Sequence, residues 1–576
     1  MSKDMSSNTE AGQDKKIVSP GRVWLLGAGP GARDLLTLKG ARVLSEAQVV
    51  VYDALVGPEV LSMVPEDAEL IDVGKRSGNH TMPQEEINQV LAAKAKEGRR
   101  VVRLKGGDPF LFGRGGEELK LLAEEGVPFE VIPGVTSALA VPAYNGIPVT
   151  YRDFCSSVHV ITGHRRANFE YDIDFKALVE TRGTLIFLMG IASLPMICSG
   201  LIEGGMDPDM PAAVLSRGTT ARQARVVATV GTLPQEIDAH PLATPAIIVV
   251  GRVCELADDF DWFTRQPLFG MHVLVTRPKE LISGMADRLR RKGAQVLELP
   301  AIRTIPEPDL AERLRICFSE QAADETAHEQ NEGALAGSTA PVTHTAPATS
   351  TARTDPAASA APVVRTASAL SAPYAGGAAW DWAVFTSPTG VRVFMEGLKE
   401  ADLDIRVLAG TKIAAIGSGT AKMLREYGIR TDLIPEVYDG RSLGAALSKV
   451  LEPGMRVLIP RAKIGTQELI EEMNRVPDLT IADVATYDTQ YATGGAVNEK
   501  EMIESGEIDY AVFTSASTVR GFAHAIGDMD YTKVRAVCIG KQTKAAADEL
   551  GMQTWMAEKA TMDAVVSKLE QLAGGA

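Results

Sequence analysis

Two glycine-rich turns carry residues that could bind a nucleotide-like ligand. The first, Gly27-Ala-Gly-Pro-Gly31, follows an apolar run that predicts a strand, and Asp53 ends the next such run. The second turn, Lys105-Gly-Gly-Asp-Pro109, also ends a predicted strand and adds the carboxylate of Asp108. Glycines let a flat ligand lie against the backbone, and a carboxylate can bind an amino group or ribose hydroxyls. Open α/β sheets bind their ligands at such strand ends.

The first turn also fits the dinucleotide fingerprint G-x-G-x-x-G/A, with Asp53 standing about 20 residues further on. Pro30 argues against that assignment, because proline lacks the N–H that a pyrophosphate needs in this turn. A nicotinamide-dependent oxidoreductase is thus the weaker alternative. A tight turn that binds no ligand is another.

Hydroxyl side chains recur at predicted strand-to-helix junctions in the C-terminal half: Ser387, Thr420, Ser515 and Thr543. Each can cap a helix, and each helix N-terminus is also a potential anion site. Two such sets, in two similar domains, could hold a polycarboxylate from both sides.

Short β-branched runs alternate with helix-length amphipathic stretches along most of the chain, which predicts α/β domains with largely parallel sheets. In the C-terminal half three strand-end sequences recur in the same order, which predicts two similar α/β domains. The clearest pair is Val384–Phe394 and Val512–Phe522. Residues 322–378 are rich in Ala, Thr, Pro and Ser, and we expect a disordered insertion there.

The 576-residue chain has a formal net charge of −15, which argues against general nucleic-acid binding. Its five cysteines include no CxxC pair, so neither a disulfide framework nor a metal site is expected. The polar residues 1–19 predict a disordered head without a signal peptide, and no apolar run is long enough for a membrane helix. A cytoplasmic protein is expected.

Residues 20–265 resemble the tetrapyrrole methylase family, and within it uroporphyrinogen-III C-methyltransferase. The resemblance rests on the two glycine turns and on further collinear segments: Leu35–Thr37, Val73–Lys75, Pro83–Ile87, Gly146–Thr150, Thr162–His164, Thr244–Ala246 and Val250–Arg252. It implies two α/β lobes, about 20–132 and 133–255, with S-adenosylmethionine in the cleft and a homodimer formed through this half. One departure is Ala32, where the family usually has Asp.

The methylase resemblance also implies roles for individual residues. Asp53 falls on the family's proton acceptor and Lys75 on its proton donor. Arg76 and Arg114 lie near the motifs and could receive carboxylates of the substrate. Cofactor contacts are implied at Pro30, Gly106, Gly107, Asp108, Leu111, Thr136, Ser137, Met189, Gly218 and Ala246.

Residues 270–576 resemble uroporphyrinogen-III synthase, on Val273–Pro278, Phe385–Ser387, Ile416–Ala421, Ile459–Arg461, Tyr487, Phe513–Ser515 and Ile539–Thr543. The resemblance implies one domain from 270–301 plus 489–576 and a second from 302–488, with the low-complexity insertion in the second. It implies Tyr487 as a catalytic acid and Ser387, Thr420, Ser515 and Thr543 as substrate-binding residues.

Together the two resemblances imply a bifunctional enzyme that cyclises hydroxymethylbilane to uroporphyrinogen III and methylates this product twice to precorrin-2. A methyltransferase with a non-catalytic ligand-binding module is the alternative. No motif of one half contains a residue of the other, so we expect the halves to act independently across a boundary near 258–269.

Overall fold

The computed structural model describes residues 21–74, 82–163, 173–276, 279–318, 364–366, 380–465, 467–491 and 497–574. It divides into two compact units. The first unit comprises Met1–Leu299, Thr493–Glu558 and Met562–Ala576, and the second comprises Pro300–Ala492 and Lys559–Thr561.

The first sheet of the first unit is parallel, with strand order β3-β2-β4-β1-β5. Its strands are β1 (Arg22–Gly27), β2 (Val49–Tyr52), β3 (Glu69–Asp72), β4 (Arg100–Lys105) and β5 (Phe129–Ile132). The valines of the three central strands β1, β2 and β4 are buried on both faces, as helix-covered parallel strands require. Its helices are α1 (Leu38–Ser45), α2 (Pro58–Leu61), α3 (Gln84–Lys96) and α4 (Gly115–Glu124), with a 3₁₀ turn at Arg33–Leu35.

The second sheet has the order β6-β7-β10-β8-β9, and only its β6–β7 pair is parallel. Its strands are β6 (Val158–Thr162), β7 (Thr184–Leu188), β8 (Pro211–Ser216), β9 (Ala224–Thr229) and β10 (Ala246–Val250). The accompanying helices are α5 (Ser137–Tyr144), α6 (Phe175–Glu180), α7 (Leu194–Glu203) and α8 (Leu233–Ala239), with 3₁₀ turns at Ile191–Ser193 and Arg252–Leu256.

The third sheet of the first unit is parallel, in the order β12-β11-β19-β20-β21. Its strands are β11 (His272–Thr276), β12 (Gln295–Leu299), β19 (Tyr510–Phe513), β20 (Arg535–Cys538) and β21 (Gln553–Met556). Its helices are α9 (Lys279–Arg290), α15 (Glu499–Glu504), α16 (Ala516–Ile526), α17 (Lys541–Glu549) and α18 (Met562–Ala573), with a 3₁₀ turn at Tyr531–Lys533.

The second unit contains one sheet, in the order β13-β18-β17-β15-β16. Its strands are β13 (Ile302–Pro306), β15 (Trp382–Phe385), β16 (Lys412–Ala415), β17 (Arg456–Ala462) and β18 (Thr480–Tyr491). Its helices are α10 (Leu310–Phe318), α11 (Pro388–Glu400), α12 (Ser418–Glu426), α13 (Gly440–Leu447) and α14 (Glu468–Met473), with a 3₁₀ turn at Ile405–Leu408.

One short strand falls inside the low-complexity segment, where the sequence predicts no ordered element. Strand β14 (Val364–Thr366) pairs in parallel with β18, at Ile481–Asp483. Its first and last residues, Val364 and Thr366, are β-branched types that suit a strand. The other residues of 322–378 lie outside the described ranges.

The predicted internal repeat is present in the topology. The order β12-β11-β19-β20 in the first unit corresponds to β18-β17-β15-β16 in the second. The strands β19 and β15 carry the matching sequences, and each is followed by a serine that caps a helix. The prediction of two similar α/β domains in the C-terminal half is therefore confirmed.

Candidate active sites

Three strand-end turns of the first sheet pack directly against one another. The backbone N–H of Gly29 donates to Gly107 O at 3.2 Å, and the N–H of Gly107 donates back to Gly29 O at 2.7 Å. A Cβ on Gly27 would lie 2.5 Å from the Gly134 Cα, so only glycine fits there. A Cβ on Gly107, by contrast, would meet no atom within 4 Å. The backbone at Gly107 therefore faces open space in which a ligand can lie.

Asp108 fastens two of these turns together. Its Oδ1 accepts the N–H groups of Phe110 at 2.8 Å and Leu111 at 3.2 Å. Its Oδ2 accepts the N–H of Gly134, after β5, at 3.1 Å. Both carboxylate oxygens are thus occupied by backbone amides, and Asp108 orders the turn in addition to any contact it makes with a ligand.

We expect Asp108→Ala to weaken S-adenosylmethionine binding by about 1.5–3 kcal/mol, the range for hydrogen bonds to a charged group. Because three backbone amides lose their acceptor, the melting temperature should fall as well. Calorimetric titration and thermal unfolding measure the two effects. Asp207→Ala is the matched control, since Asp207 caps an exposed turn through one amide, that of Asp209. Unchanged affinity in Asp108→Ala would remove this residue from the site.

Asp53 stands at the end of β2, beside the turn that follows β4. Its Oδ1 accepts the N–H groups of Leu55 at 3.1 Å and Gly106 at 3.4 Å, and its Oδ2 lies 3.7 Å from Arg103 Nη2. The side chain remains 25% exposed. The carboxylate is therefore held in one orientation yet is accessible to a ligand.

A buried ionic cluster supports Asp53 from below. Glu118 Oε1 accepts Arg103 Nε at 3.0 Å, Lys105 Nζ at 3.1 Å and Gln84 Nε2 at 3.1 Å. The side chains of Arg103, Lys105 and Glu118 are all 5% exposed or less. Burial, reinforced by the charge of Arg103, lowers the pKa of Lys105. Neither Lys105 nor Glu118 was predicted to be a functional residue. The only signal for Lys105 was its place at the start of the second glycine turn.

A cavity of about 400 Å³ lies beside the first turn, in the first unit. Four of the ten predicted cofactor contacts line its wall: Pro30, Ser137, Gly218 and Ala246. The rest of the wall is mostly apolar and includes Leu55, Val141 and Ile247.

The other six predicted cofactor contacts do not line that cavity. Thr136 caps α5 by accepting the N–H of Ala138 at 3.2 Å, and Met189 is 52% exposed with a φ of 57°. Leu111 packs against the core beneath α5. Gly106, Gly107 and Asp108 belong to the adjoining turn described above.

The predicted basic residues divide into two cases. Lys75 and Arg76 lie outside the described residues. Arg114 is exposed and holds Glu117 through two hydrogen bonds, at 2.9 and 2.5 Å. A substrate carboxylate would therefore have to compete with Glu117 for this guanidinium.

Ala32 stands where the family usually has Asp, and its backbone joins the first sheet to the second. The N–H of Ala32 donates to Thr219 Oγ1 at 3.1 Å, and Thr219 is 4% exposed with a φ of 68°. Gly218 is equally constrained, since a Cβ there would lie 2.4 Å from Val141 Cγ1. The backbone of this turn thus links the two lobes through Thr219.

In the second unit, Ser387 and Tyr487 are in contact. Ser387 caps α11 by accepting the N–H of Gly390 at 2.9 Å, and its Oγ lies 3.1 Å from the Tyr487 hydroxyl. Tyr487 is 7% exposed, and burial raises the pKa of its hydroxyl. Thr420 is only 2% exposed, at the start of α12.

The corresponding residues of the third sheet are in the first unit. Ser515 caps α16 by accepting the N–H of Thr518 at 3.2 Å, and its Oγ lies 2.8 Å from Ser517 Oγ. Thr543 is 4% exposed in the first turn of α17. Ser387 and Ser515 therefore both cap helices, and this role explains their positions without a ligand. Each serine also lies beside a helix N-terminus, where an anion can bind.

Within the described residues, no group of three or more His, Cys, Asp or Glu side chains could hold a metal ion. No helix in the same ranges is long and apolar enough to cross a membrane.

Two family models match the chain. Tetrapyrrole (Corrin/Porphyrin) Methylases match residues 22–234, and Uroporphyrinogen-III synthase HemD matches residues 343–567. The first and second sheets thus belong to a tetrapyrrole methylase, and the C-terminal half contains a uroporphyrinogen-III synthase.

Three similar proteins illustrate the relationship. The porphyrin biosynthesis protein HemD of Ruminiclostridium josui is 41% identical over 96% of this chain and 99% of its own length. Siroheme synthase 2 of Klebsiella pneumoniae is 49% identical over 45% of this chain, which spans about half (56%) of that relative. A uroporphyrin-III C-methyl transferase from Thermus thermophilus, solved with S-adenyl homocysteine, is 39% identical over 41% of this chain and 99% of its own, with a TM-score of 0.36.

The chain is therefore a two-part α/β enzyme of tetrapyrrole biosynthesis. It belongs to the family that fuses a tetrapyrrole methylase to a uroporphyrinogen-III synthase. The resemblances stated from the sequence, and the fold class that they imply, are confirmed.

Proposed function

We propose that the methylase half transfers methyl groups from S-adenosylmethionine to two carbon atoms of uroporphyrinogen III, giving precorrin-2. The observation that carries this proposal is the set of interlocked glycine turns beside Asp53, with open space at Gly107 and the cavity at Pro30. When bound, S-adenosylmethionine supplies an electrophilic methyl group on a sulfonium. The backbone turns position it, and in-line positioning can lower the barrier by several kcal/mol.

Asp53 is the proton acceptor in this proposal. Methylation of a reduced pyrrole carbon leaves a proton that must depart from the macrocycle, and a positioned carboxylate can accept it. The amides of Leu55 and Gly106 fix the orientation of Asp53, while the buried Arg103 balances its charge. Glu118 holds Arg103 in place from the protein side, and Lys105 donates to the same Glu118 oxygen. They are positioning residues and do not contact the substrate.

The synthase half closes hydroxymethylbilane to uroporphyrinogen III with inversion of the last ring. We assign Tyr487 as the acid for loss of the hydroxyl group. Because burial raises its pKa, Tyr487 retains its proton at neutral pH and can donate it. Ser387, Thr420, Ser515 and Thr543 are proposed to bind the substrate carboxylates, a role supported by their positions at helix N-termini.

Tyr487→Phe is expected to lower the cyclisation rate by about 100-fold, since it removes a general acid and keeps the buried ring. Methylation of supplied uroporphyrinogen III should stay unchanged. Tyr510→Phe is the matched control, because Tyr510 is also 7% exposed. Product formation is followed by chromatography, which separates uroporphyrinogen III from the isomer that forms without inversion of the last ring. A rate within twofold of the unchanged protein would leave Tyr487 as a core residue only.

One experiment tests the whole proposal: supply hydroxymethylbilane with S-adenosylmethionine and determine the product mass. Precorrin-2 should form, and uroporphyrinogen III should accumulate when S-adenosylmethionine is omitted. If the only product is the isomer that forms without catalysis, in which the last ring is not inverted, the C-terminal half is a non-catalytic module. Binding of NADH in place of S-adenosylmethionine would favour the oxidoreductase, against which Pro30 argues because it removes an amide donor.

Three further points belong to this proposal. The precorrin-2 product leads to sirohaem or a corrinoid. The methylase half forms a homodimer, supported by exposed apolar side chains such as Leu38 and Phe110, and light scattering tests it. A reducing cytoplasmic setting is supported by five cysteines that form no disulfide.

A further inference from the structure

The third sheet, which belongs to the synthase half, contacts the methylase lobes inside the first unit. Ala221 N–H donates to Gln295 Oε1 at 3.1 Å, and Arg222 Nη2 lies 3.2 Å from both oxygens of Asp509. The wall of the 400 Å³ cavity accordingly includes four residues of the synthase half: His272, Gln295, Met502 and Glu507. Residues of both halves therefore line one cavity, and the expected independence of the two activities stays a prediction.

His272, in this wall, has one ring nitrogen that lacks a hydrogen-bond partner among the described residues. It is 4% exposed, and its Nε2 has no hydrogen-bond partner among the residues that the structure describes. Its Nδ1 lies 3.1 Å from the backbone carbonyl oxygen of Glu507. A carbonyl can only accept, so Nδ1 carries the proton. Burial lowers the pKa of His272 to about 4, which keeps the ring neutral. Its Nε2 is then a hydrogen-bond acceptor.

An unpartnered acceptor in a buried wall calls for a ligand that brings an N–H donor. The cavity lies at the small end of ligand sites, which run from roughly 300 to 1,000 Å³. Its largely apolar lining suits a flat heteroaromatic ring and gives no matching set of cations for the eight carboxylates of uroporphyrinogen III. Adenine combines such a ring with one exocyclic amine. It is part of S-adenosylmethionine, whose predicted contacts Pro30 and Ala246 lie in the same wall.

We propose that His272, from the synthase half, accepts a hydrogen bond from the adenine amine of S-adenosylmethionine bound in the methylase half. This inference rests on the proposed function, because it takes S-adenosylmethionine as the methyl donor. It makes the synthase half part of the cofactor site, and His272 a specificity-determining residue for adenine.

The test compares two ligands on the full chain by calorimetric titration: S-adenosylhomocysteine and S-inosylhomocysteine, in which a carbonyl replaces the amine. The unchanged protein should prefer the adenine ligand by about 10-fold, the range for one buried hydrogen bond. His272→Phe should bind the adenine ligand about 10-fold more weakly and lose the preference. His240→Phe, with a side chain 72% exposed, is the control and should behave as the unchanged protein.

Equal binding of S-adenosylhomocysteine by His272→Phe, or an equal loss for both ligands, would overturn the assignment while leaving the proposed function intact. If the unchanged protein binds neither ligand, the proposed function itself fails. A second measurement covers a variant that does not fold: in ¹⁵N-histidine spectra of the unchanged protein, the Nε2 signal of the histidine that titrates near pH 4 should move upfield when S-adenosylhomocysteine is added. An unmoved signal would overturn the proposal.

Discussion

Asp53→Asn is expected to lower the rate of methyl transfer by about 10²- to 10⁴-fold, the usual contribution of a positioned general base. The amide keeps the size of the side chain and one oxygen that can accept from Leu55 and Gly106, so the turn should remain ordered. It has no basic carboxylate to receive the proton. S-adenosylmethionine affinity should change little, and uroporphyrinogen III should accumulate, because ring closure takes place in the synthase half.

The matched control is Asp67→Asn, an exposed carboxylate between α2 and β3. Single-turnover methylation measured by product mass separates the chemical step from binding. Methylation within about threefold of the unchanged protein would remove the proton-acceptor role. Loss of cyclisation as well, in a protein whose circular dichroism is unchanged, would mean that the two activities are coupled through the first unit.

The sequence was sufficient to place the strand-end turns, because their chemistry is local. The turns that contain Gly29 and Gly107 pack backbone to backbone. Such close packing requires glycine, and this is why the glycines of Gly27–Gly31 indicate the turn. The repeated Phe-Thr-Ser sequences likewise predicted strands that run into serine-capped helices, and both serines are caps. These features depend on a few neighbouring residues.

The buried ionic cluster was not predictable from the same reasoning. Glu117 and Glu118 are adjacent acids in one helix, and only their position against β4 distinguishes them: Glu117 pairs with the exposed Arg114, whereas Glu118 is fully buried between Arg103 and Lys105. The guanidinium of Arg103 is occupied between Asp53 and Glu118, which is a consequence of tertiary packing.

The contribution of the synthase half to the methylase cavity was missed for a related reason. His272 begins β11, where the pattern indicated only the start of a new domain. Its role depends on the carbonyl of Glu507, which is far away in the sequence. Composition and periodicity describe each half separately and contain no information on which surfaces of the two halves meet.

A buried ion pair joins the halves at α2, and its loss should strongly destabilise the first unit. Glu59 Oε1 accepts the Val296 N–H at 2.6 Å and lies 3.4 Å from Arg290 Nε. Both side chains are 7% exposed or less. Glu59→Gln keeps a hydrogen-bonding oxygen but leaves Arg290 with less compensation. Removing one partner of a buried pair typically costs about 3–5 kcal/mol. Because burial already raises the pKa of Glu59, we expect the lower end of that range.

Hydrogen exchange measures this loss locally, since the chain has two units and a single melting curve would average them. Amides of β12 should exchange about 100-fold faster in Glu59→Gln, the equivalent of roughly 3 kcal/mol.

Glu46→Gln is the control: it breaks the exposed pair with Arg100 and should cost under about 1 kcal/mol. The double variant Glu59→Leu with Arg290→Met should recover only part of the protection, because apolar residues can replace a buried pair but leave the Val296 N–H without its acceptor. Because α2 follows the cavity-lining residues Ala54–Gly57, S-adenosylhomocysteine should also bind more weakly to Glu59→Gln. Unchanged exchange in β12 would show that this pair does not hold the halves together.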